Sequence, residues 1–230
     1  MGWLPAELID RRQGVAGELA LYRRDGQLEL VVGGTFAMAT GEVDSERDMI
    51  SRGAALAKRS VRQVLIGGLG AGLSAAAALS LPGVEGVTVV ELEPWVIEWN
   101  RTHFAPFNRC ALQDPRLTLV AGDFAEAVQG VSPGSYDLVA VDTDNGPDWL
   151  LRAENAAIYG AEGIAACGRA LRAGGVLAVW TADPCLALAQ RLRAMLGPVS
   201  RRDYLRLAGD RELLNTVYYA LKLEETSHVG

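Results

Sequence analysis

Acidic residues stand at the ends of three predicted strands. Glu91 ends the first of them, and later strands lead to Asp123 and Asp142. Because the carboxyl ends of parallel strands meet at one edge of a sheet, where doubly wound folds bind ligands, we expect these carboxylates to lie close together. A carboxylate accepts hydroxyl and amino hydrogens and can also take a proton from a nucleophile. The three acids therefore predict a ligand site at this edge of the sheet.

A glycine-rich segment follows the predicted strand Val61–Ile66 and leads into a helix. Glycines in such a loop tolerate positive φ and leave no Cβ between the backbone and a ligand. The loop alone is weak evidence, because a tight strand-to-helix turn has the same composition and nucleotide, flavin and S-adenosylmethionine folds all use similar glycines. The candidate ligand-binding residues of this loop are Gly67, Gly68, Leu69, Gly70 and Gly72.

The spacing of the acids fits a nucleoside. Glu91, followed by Leu92, lies 19 positions beyond Gly72, where a carboxylate can accept both ribose hydroxyl protons. Asp123 can accept from an adenine amino group, and Phe124 can flank the ring. Each acid by itself could be a helix cap or a solvated charge. Three acids in this order behind a glycine loop favour a nucleoside site.

The elements that position these residues alternate between strand and helix with short connections, which is typical of a parallel sheet covered on both faces. The predicted strands are Val61–Ile66, Val87–Glu91, Leu117–Ala121, Tyr136–Asp142 and Val176–Thr181. The predicted helices are Ala71–Leu81, Pro94–Phe104, Phe124–Val128, Ala161–Ala173 and Pro184–Leu196. Tyr204–Leu207 and Leu213–Leu223 then predict a terminal hairpin with one strand inserted antiparallel.

A small antiparallel β element is predicted in front of this sheet. Asp25-Gly26 is a strong two-residue hairpin signal between Glu18–Arg24 and Gln27–Val32, and Thr35–Thr40 predicts a third strand. A helix capped by Ser45 follows and ends near Lys58. We therefore expect residues 1–44 to form the N-terminal element and residues 45–230 to form the ligand-binding domain.

Composition restricts the partners. The chain has 22 Lys and Arg against 28 Asp and Glu, a net charge of −6, and no basic stripe of the kind that binds nucleic acid. No apolar run approaches the ~18 residues of a membrane span, and the first residues do not resemble a secretory signal. We expect a soluble, cytoplasmic protein with no nucleic-acid or membrane partner. The cysteines Cys110, Cys167 and Cys185 are too far apart to predict a metal site, and we interpret them as buried small hydrophobes.

Several segments resemble the spermidine synthase family, a branch of the class I S-adenosylmethionine-dependent transferases. These segments are Asp114–Leu117, Gly122-Asp123, Tyr136–Leu138 and Leu171–Leu177, and the similarity covers roughly residues 30 to 225. The run Val141–Pro147 is most similar to bacterial spermidine synthase-like proteins of unassigned activity. The resemblance implies an α/β, Rossmann-like class I methyltransferase fold: a mostly parallel doubly wound sheet with an antiparallel terminal strand, preceded by a small N-terminal β element. It also implies S-adenosylmethionine or decarboxylated S-adenosylmethionine as cofactor, a small-molecule acceptor, and the family's tendency to form homodimers.

The chain departs from the family at the positions that hold amines. An Asp in the family's glycine loop is Gly70 here, and its Tyr and its Gln or His before the sheet are Glu46 and Arg47. Its substrate-binding Glu after the fifth strand is Ala182, beside Asp183. A diamine bound in a partly dry cleft without paired acids would leave uncompensated charge. These departures favour methyl transfer from intact S-adenosylmethionine.

The resemblance makes Asp142 the candidate general base, with Asp144 as a second catalytic candidate. Asp142 could instead cap a turn or bind the amine of the cofactor. Trp149 and Trp180 lie near the ends of the fourth and fifth strands, and we expect them, with Asp183, to bind the acceptor.

Three functions remain open. The first is a methyltransferase, the second is a polyamine aminopropyltransferase that uses decarboxylated S-adenosylmethionine, and the third is a non-catalytic binding protein. Transfer from a sulfonium needs in-line placement and exclusion of water rather than a metal or a covalent nucleophile. We therefore expect no role for a metal, for His103 or for His228.

Overall fold

The computed structural model describes residues 6–41, 44–208 and 211–223. Within these ranges the first strands form a four-stranded antiparallel sheet in the order β1-β2-β3-β4. Its strands are β1 (Glu7–Gln13), β2 (Glu18–Arg24), β3 (Gln27–Val32) and β4 (Thr35–Ala39). The predicted Asp25-Gly26 hairpin turn is present, with φ of 50° and 78° at its two residues, the positive values that a type I′ turn requires.

The main sheet has seven strands in the described residues, in the order β10-β11-β9-β8-β5-β6-β7. They are β5 (Gln63–Gly67), β6 (Gly86–Glu91), β7 (Leu117–Ala121), β8 (Tyr136–Val141), β9 (Leu171–Thr181), β10 (Val199–Ala208) and β11 (Arg211–Leu221). Strands β5 to β9 pair in parallel, whereas β11 is antiparallel to both β9 and β10. The predicted mostly parallel Rossmann-like sheet with an antiparallel end is confirmed.

Helices cover both faces of the main sheet. They are α1 (Asp44–Leu56), α2 (Leu73–Leu79), α3 (Pro94–Arg101), α4 (Phe124–Ala127), α5 (Ala156–Tyr159), α6 (Ala161–Ala170) and α7 (Leu186–Met195). Successive strand residues point to opposite faces. On β5, Ile66 packs in a core with Met49 of α1, whereas Leu65 packs in a second core with Ile164 of α6. The carboxyl edge is thereby left free for a site.

The N-terminal sheet packs directly on the main domain. Leu19 and Leu30 belong to the same buried cluster as Ile66. The indole of Trp99 on α3 donates a hydrogen bond to Asp10 Oδ2 at 3.0 Å. The two sheets therefore share a core. No helix in the described residues combines the length and the apolar character needed to span a membrane.

The structure corrects some sequence expectations. Strand β1 was not predicted, because Glu7–Gln13 is an exposed and mostly charged edge strand without an apolar alternation. Helix α1 begins at Asp44, and Ser45 Oγ donates to the Glu46 carboxylate at 2.6 Å instead of capping the helix. The interpretation of Cys110 as buried was wrong, since it is exposed, whereas Cys167 and Cys185 are buried. His228 lies outside the described residues.

Candidate functional site

A cavity lies at the carboxyl edge of the parallel strands. Its walls surround about 1160 Å³ of empty space, counting the part that is open to solvent. Most of the predicted site residues line it, namely Gly68, Leu69, Gly70, Glu91, Leu92, Asp123, Phe124, Asp142, Asp144 and Trp180. The other predicted site residues, Gly67, Gly72, Trp149 and Asp183, are not on its wall. Trp149 is 49% exposed, and Asp183 is exposed as well.

The glycine loop is packed so tightly that side chains would not fit at its start. A Cβ on Gly67 would lie 2.6 Å from the ring of Phe124. A Cβ on Gly68, whose φ is +89°, would lie 2.2 Å from the carbonyl oxygen of Asp142. The Asp142 N–H donates back to Gly67 O at 2.9 Å. The glycines thus bring the loop, the Phe124 ring and the end of β8 together.

Two buried asparagines hold the other end of the loop. Asn100 Nδ2 donates to Gly70 O at 2.7 Å, and Asn108 Nδ2 donates to Ala71 O at 2.9 Å. Asn108 Nδ2 also donates to Asn100 Oδ1 at 2.8 Å. Neither residue was predicted from the sequence. The signal for Asn100 was its place four residues after Val96, on the apolar face of α3, where a polar residue needs a buried partner.

Glu91 lies at the end of β6 and is 8% exposed. Its Oε2 accepts from Leu69 N–H at 2.7 Å, and its Oε1 accepts from Glu93 N–H at 2.8 Å. Burial raises the pKa of this carboxyl above its ordinary value, and the two N–H donors offset part of the rise. Each carboxylate oxygen can accept a second hydrogen bond. Its position and its spare acceptor capacity suit a ribose diol.

Asp123 caps α4 and is also part of an ion pair. Its Oδ1 accepts from Ala125 N–H at 2.7 Å, and its Oδ2 accepts from Arg152 Nη1 at 2.5 Å. Burial alone would raise the pKa of Asp123, but the Arg152 hydrogen bond and the Ala125 N–H outweigh it and lower that pKa. Arg152 lines the cavity beside Asp123 and was not predicted, because its position in a loop gave no signal.

Asp144 organises the loop that follows β8. Its carboxylate accepts from the N–H groups of Asn145 and Leu151, both at 2.7 Å, and from that of Arg152 at 3.4 Å. Asn155 Nδ2 donates to it at 2.7 Å. A carboxylate with so many donors has little capacity left for a substrate proton. This geometry favours a loop-building role over the catalytic role that the sequence analysis gave Asp144.

Asp142 is in a different environment. Its carboxylate lines the cavity, and among the described residues it accepts one hydrogen bond, from Ser74 Oγ on α2 at 2.8 Å. Burial raises the pKa of Asp142 to about 6, and the Ser74 hydrogen bond offsets part of the rise. A carboxylate with this pKa and with free lone pairs is suited to accept a proton near neutral pH. The sequence analysis missed Ser74, because a serine inside an alanine-rich helix is ordinarily uninformative.

Residues of α1 and of the end of β9 also line the cavity. Trp180 Nε1 donates to Ser45 Oγ at 3.2 Å, and Glu46 lies beside them on the cavity wall. Of the residues that we expected to bind the acceptor, the structure therefore brings Trp180 to the cavity and leaves Trp149 and Asp183 outside it.

The charges of the cavity are unbalanced. Among the residues that the structure describes, its lining contains one cationic side chain, Arg152, which is paired with Asp123. The acids in the same lining are Glu46, Glu91, Glu93, Asp123, Asp142 and Asp144. An acidic cavity that is partly shielded from water attracts cations. The charges of the lining therefore favour a positively charged ligand.

The chain is similar in sequence to proteins that are named for reactions of polyamines. The chain is 32% identical over 179 residues to a polyamine aminopropyltransferase of Mycobacterium tuberculosis, a match that covers 77% of this chain and 33% of that protein. It is 36% identical over 84 residues to putrescine N-methyltransferase 1 of Nicotiana tabacum, which covers 36% of this chain and 22% of that protein. The chain thus spans about a third of the length of the first of these relatives.

Solved structures agree on the fold. A spermidine synthase in complex with the transition state analogue AdoDATO superimposes with a TM-score of 0.81 at 18% identity, over 95% of this chain and 75% of that one. The spermidine synthase from Thermotoga maritima gives a TM-score of 0.79 at 18% identity, over 95% and 74%. Residues 43–195 match the family model of the spermine/spermidine synthase domain. The resemblance seen in the sequence motifs is confirmed, and the chain belongs to the spermine/spermidine synthase family.

Proposed function

We propose that this chain transfers the aminopropyl group of decarboxylated S-adenosylmethionine to an amine. The observation that carries the proposal is the cavity with six acids and one paired cation. Decarboxylated S-adenosylmethionine carries a sulfonium and an ammonium but no carboxylate, so it matches such a wall better than the intact compound does. Our expectation of a methyltransferase is not confirmed, because the family and the aminopropyltransferase relatives support the alternative better.

The residues present fit the nucleoside part of this donor. Glu91 would take the ribose hydroxyls, and Asp123 would take the adenine amino group with acceptor capacity that remains beside Arg152. The backbone of the glycine loop is open at Gly70, where a Cβ would meet nothing within 4 Å. When bound, the donor supplies an electrophilic carbon next to its sulfonium.

In this proposal Asp142 is the general base. An amine reaches the cavity as a cation and must lose a proton in order to attack. The Asp142 carboxylate accepts that proton, while Ser74 Oγ holds its Oδ2 in place. The new C–N bond forms as the C–S bond breaks, and the sulfur leaves as neutral methylthioadenosine. The cavity wall contributes orientation and exclusion of water.

Methyl transfer is the second candidate, and two observations favour it. The position that carries an Asp in the family's glycine loop is Gly70 here, so the amine end of an aminopropyl donor would lack that carboxylate. The match to a putrescine N-methyltransferase points in the same direction. Glu46, which lines the cavity, is an acid that could take over part of the lost charge.

Product analysis tests the proposal. The protein would be incubated with either donor and a panel of diamines and polyamines, and the products would be identified by mass spectrometry. Aminopropylated amine together with methylthioadenosine, formed from the decarboxylated donor, is the expected result. Methylated amine and S-adenosylhomocysteine from the intact donor would establish the second candidate instead. Binding of both donors with no product would support the non-catalytic hypothesis.

A further inference from the structure

The turn between β1 and β2 contributes to the cavity. We name residues 14–17 the cover turn. Gly14 N–H donates to Gly17 O at 2.8 Å, which closes the turn, and Ala16 lines the cavity. Leu92 and Glu93 line the same end, next to the ribose position at Glu91. The N-terminal sheet therefore supplies one wall of the nucleoside end.

The side chain of Glu93 holds the cover turn. Glu93 is 6% exposed, its Oε2 accepts from Val15 N–H at 2.9 Å, and its Oε1 accepts from Ala16 N–H at 2.6 Å. Hydrogen bonds from backbone N–H groups to a carboxylate are charge-assisted and stronger than neutral ones. A Cβ on Gly14 would lie 2.3 Å from Glu93 Oε2. The turn and the carboxylate are thus in close contact, and a larger residue at position 14 would separate them.

The same residue also orients the ribose acid. Glu93 N–H donates to Glu91 Oε1 at 2.8 Å. The backbone of Glu93 thereby fixes Glu91, while its side chain fixes the cover turn on the other side of the ligand position. Trp95 contacts the residues just before the cover turn. Its indole N–H donates to Gln13 O at 3.1 Å, and the centre of its ring lies 4.7 Å from the Arg12 guanidinium.

We propose that Glu93 is a positioning residue that seats the cover turn against the nucleoside end of the cavity and so slows the release of the bound nucleoside. The inference rests on the proposed function for the identity of that ligand. Glu93 takes no part in bond making, since the general base is Asp142. Loss of the hydrogen bonds between Glu93 and the cover turn should therefore shorten the time for which the nucleoside stays bound and leave the chemical step intact.

The experiment compares Glu93→Gln with Glu98→Gln in the full chain. Gln keeps the shape of Glu93 but presents an NH₂ group to one of the two backbone donors. Glu98 is on α3, the helix that begins directly after Glu93. Its side chain is 49% exposed and pairs with Arg101 at the surface, so it serves as the matched control. Three quantities would be measured: hydrogen exchange at the amides of Val15 and Ala16, the dissociation rate of methylthioadenosine, and kcat and KM for decarboxylated S-adenosylmethionine.

For Glu93→Gln we expect exchange at both amides and methylthioadenosine dissociation to be about tenfold faster, with KM raised about tenfold and kcat not lowered, as loss of one charge-assisted hydrogen bond predicts. Glu98→Gln should match the wild type in every measurement. Gly14→Ala, which leaves Glu93 unchanged but displaces the turn, should reproduce the Glu93→Gln values and gives a second test if Glu93→Gln folds poorly.

The failures are distinguishable. If the wild type binds no adenine nucleoside, the proposed function and the positioning role are both refuted. If the wild type binds the nucleoside, but Glu93→Gln and Gly14→Ala release it at the wild-type rate, the positioning role alone is refuted. A fall in kcat with unchanged KM would likewise contradict it, because that result places Glu93 in the chemical step.

Discussion

The two ends of β8 carry the same side chain in opposite environments. Asp137, at the amino end, is 1% exposed, and its Oδ2 accepts from the N–H groups of Arg62 and Gln63 at 2.9 and 3.0 Å. Its Oδ1 pairs with Arg59 at 2.7 Å and with Arg172 at 3.0 Å. Burial alone would raise the pKa of Asp137, but these donors outweigh it and lower that pKa.

Asp142, just past the carboxyl end, accepts from Ser74 and has its pKa raised to about 6. Burial penalises both carboxylates, so the difference lies in the number of donors that each one meets. An acid such as Asp137, with one oxygen bonded to two N–H groups and the other paired with two arginines, stabilises the fold. An acid that is left with free lone pairs at a cavity keeps its capacity to accept a proton. We therefore propose that Asp137 stabilises the fold and that Asp142 accepts a proton in the reaction.

The largest expected effect comes from Asp142→Asn. Because Asn cannot take the proton of the amine, kcat should fall by roughly 10²–10⁴-fold, the usual share of general-base catalysis. Donor affinity should barely change, and the melting temperature should stay equal or rise, because a buried charge has been removed. Steady-state kinetics and calorimetry would measure these quantities. Asp183→Asn, an exposed residue outside the cavity, serves as the control.

If turnover persists in Asp142→Asn while donor binding collapses, Asp142 is a ligand of the donor rather than a base. The difference between Asp137 and Asp142 would then not be one between a structural and a catalytic acid.

Asp137→Asn should have the opposite signature. Removal of the charge leaves Arg59 and Arg172 without their carboxylate, and the free energy of unfolding should fall by about 3 kcal/mol. The kcat of the folded fraction should stay close to that of the wild type. Denaturant titration followed by kinetics well below the transition would measure both. An active-site defect without loss of stability would show that the two acids are not divided as proposed.

Glu91→Ala tests the nucleoside end. Its carboxylate makes charge-assisted hydrogen bonds, so we expect donor binding to weaken by about 1.5–3 kcal/mol in calorimetry. The Leu69 and Glu93 N–H groups would also lose their acceptor, so Glu91→Gln, which keeps one acceptor oxygen, should show a smaller loss. Affinity that is unchanged in both variants would exclude Glu91 as the ribose ligand.

The pH dependence gives the smallest effect. Below pH about 6, Asp142 is protonated and cannot act as a base, so kcat/KM should rise with pH to a plateau along a limb centred near 6. Asp142→Asn should abolish that limb. Its presence in the variant would assign the titration to another group.

Stability should respond with opposite signs at the two acids. The pKa of Asp142 is raised in the folded state, so its contribution to stability is present below its ordinary pKa of 3.8 and is lost as pH rises through about 6. The pKa of Asp137 is lowered in the folded state. Its contribution to stability is therefore present above its ordinary pKa of 3.8 and is lost as pH falls through the lowered pKa.

Much of the frame could be predicted from the sequence. β7 has the predicted bounds Leu117–Ala121, and β8 differs from its prediction by one residue, because apolar runs bounded by Gly and Asp identify buried strands well. The prediction for β9 began at Val176, whereas the strand begins at Leu171. Gly174 has a φ of +77°, and the pairing of β9 with β8 is irregular there but includes Leu171.

The partners of the site residues could not be predicted. The sequence around Glu93 predicts only the start of a helix. The hydrogen-bond partners of its side chain, Val15 and Ala16, are more than 70 positions away in sequence. They belong to a turn after β1, a strand whose pairing is set by β2 rather than by its own pattern. Asp144 looks the same in sequence whether it faces a substrate or the N–H groups of its own loop. Only the folded chain decides between these possibilities.

The most direct test of the account compares the affinities of the two donors. Calorimetry at neutral pH would measure binding of decarboxylated and intact S-adenosylmethionine to the same preparation. Because the intact compound brings a carboxylate to an acid-lined cavity whose cation is paired with Asp123, we predict that the decarboxylated donor binds at least about tenfold more tightly, a difference of about 1.4 kcal/mol. Equal or tighter binding of intact S-adenosylmethionine would contradict the proposed aminopropyl transfer and would make methyl transfer the better supported function.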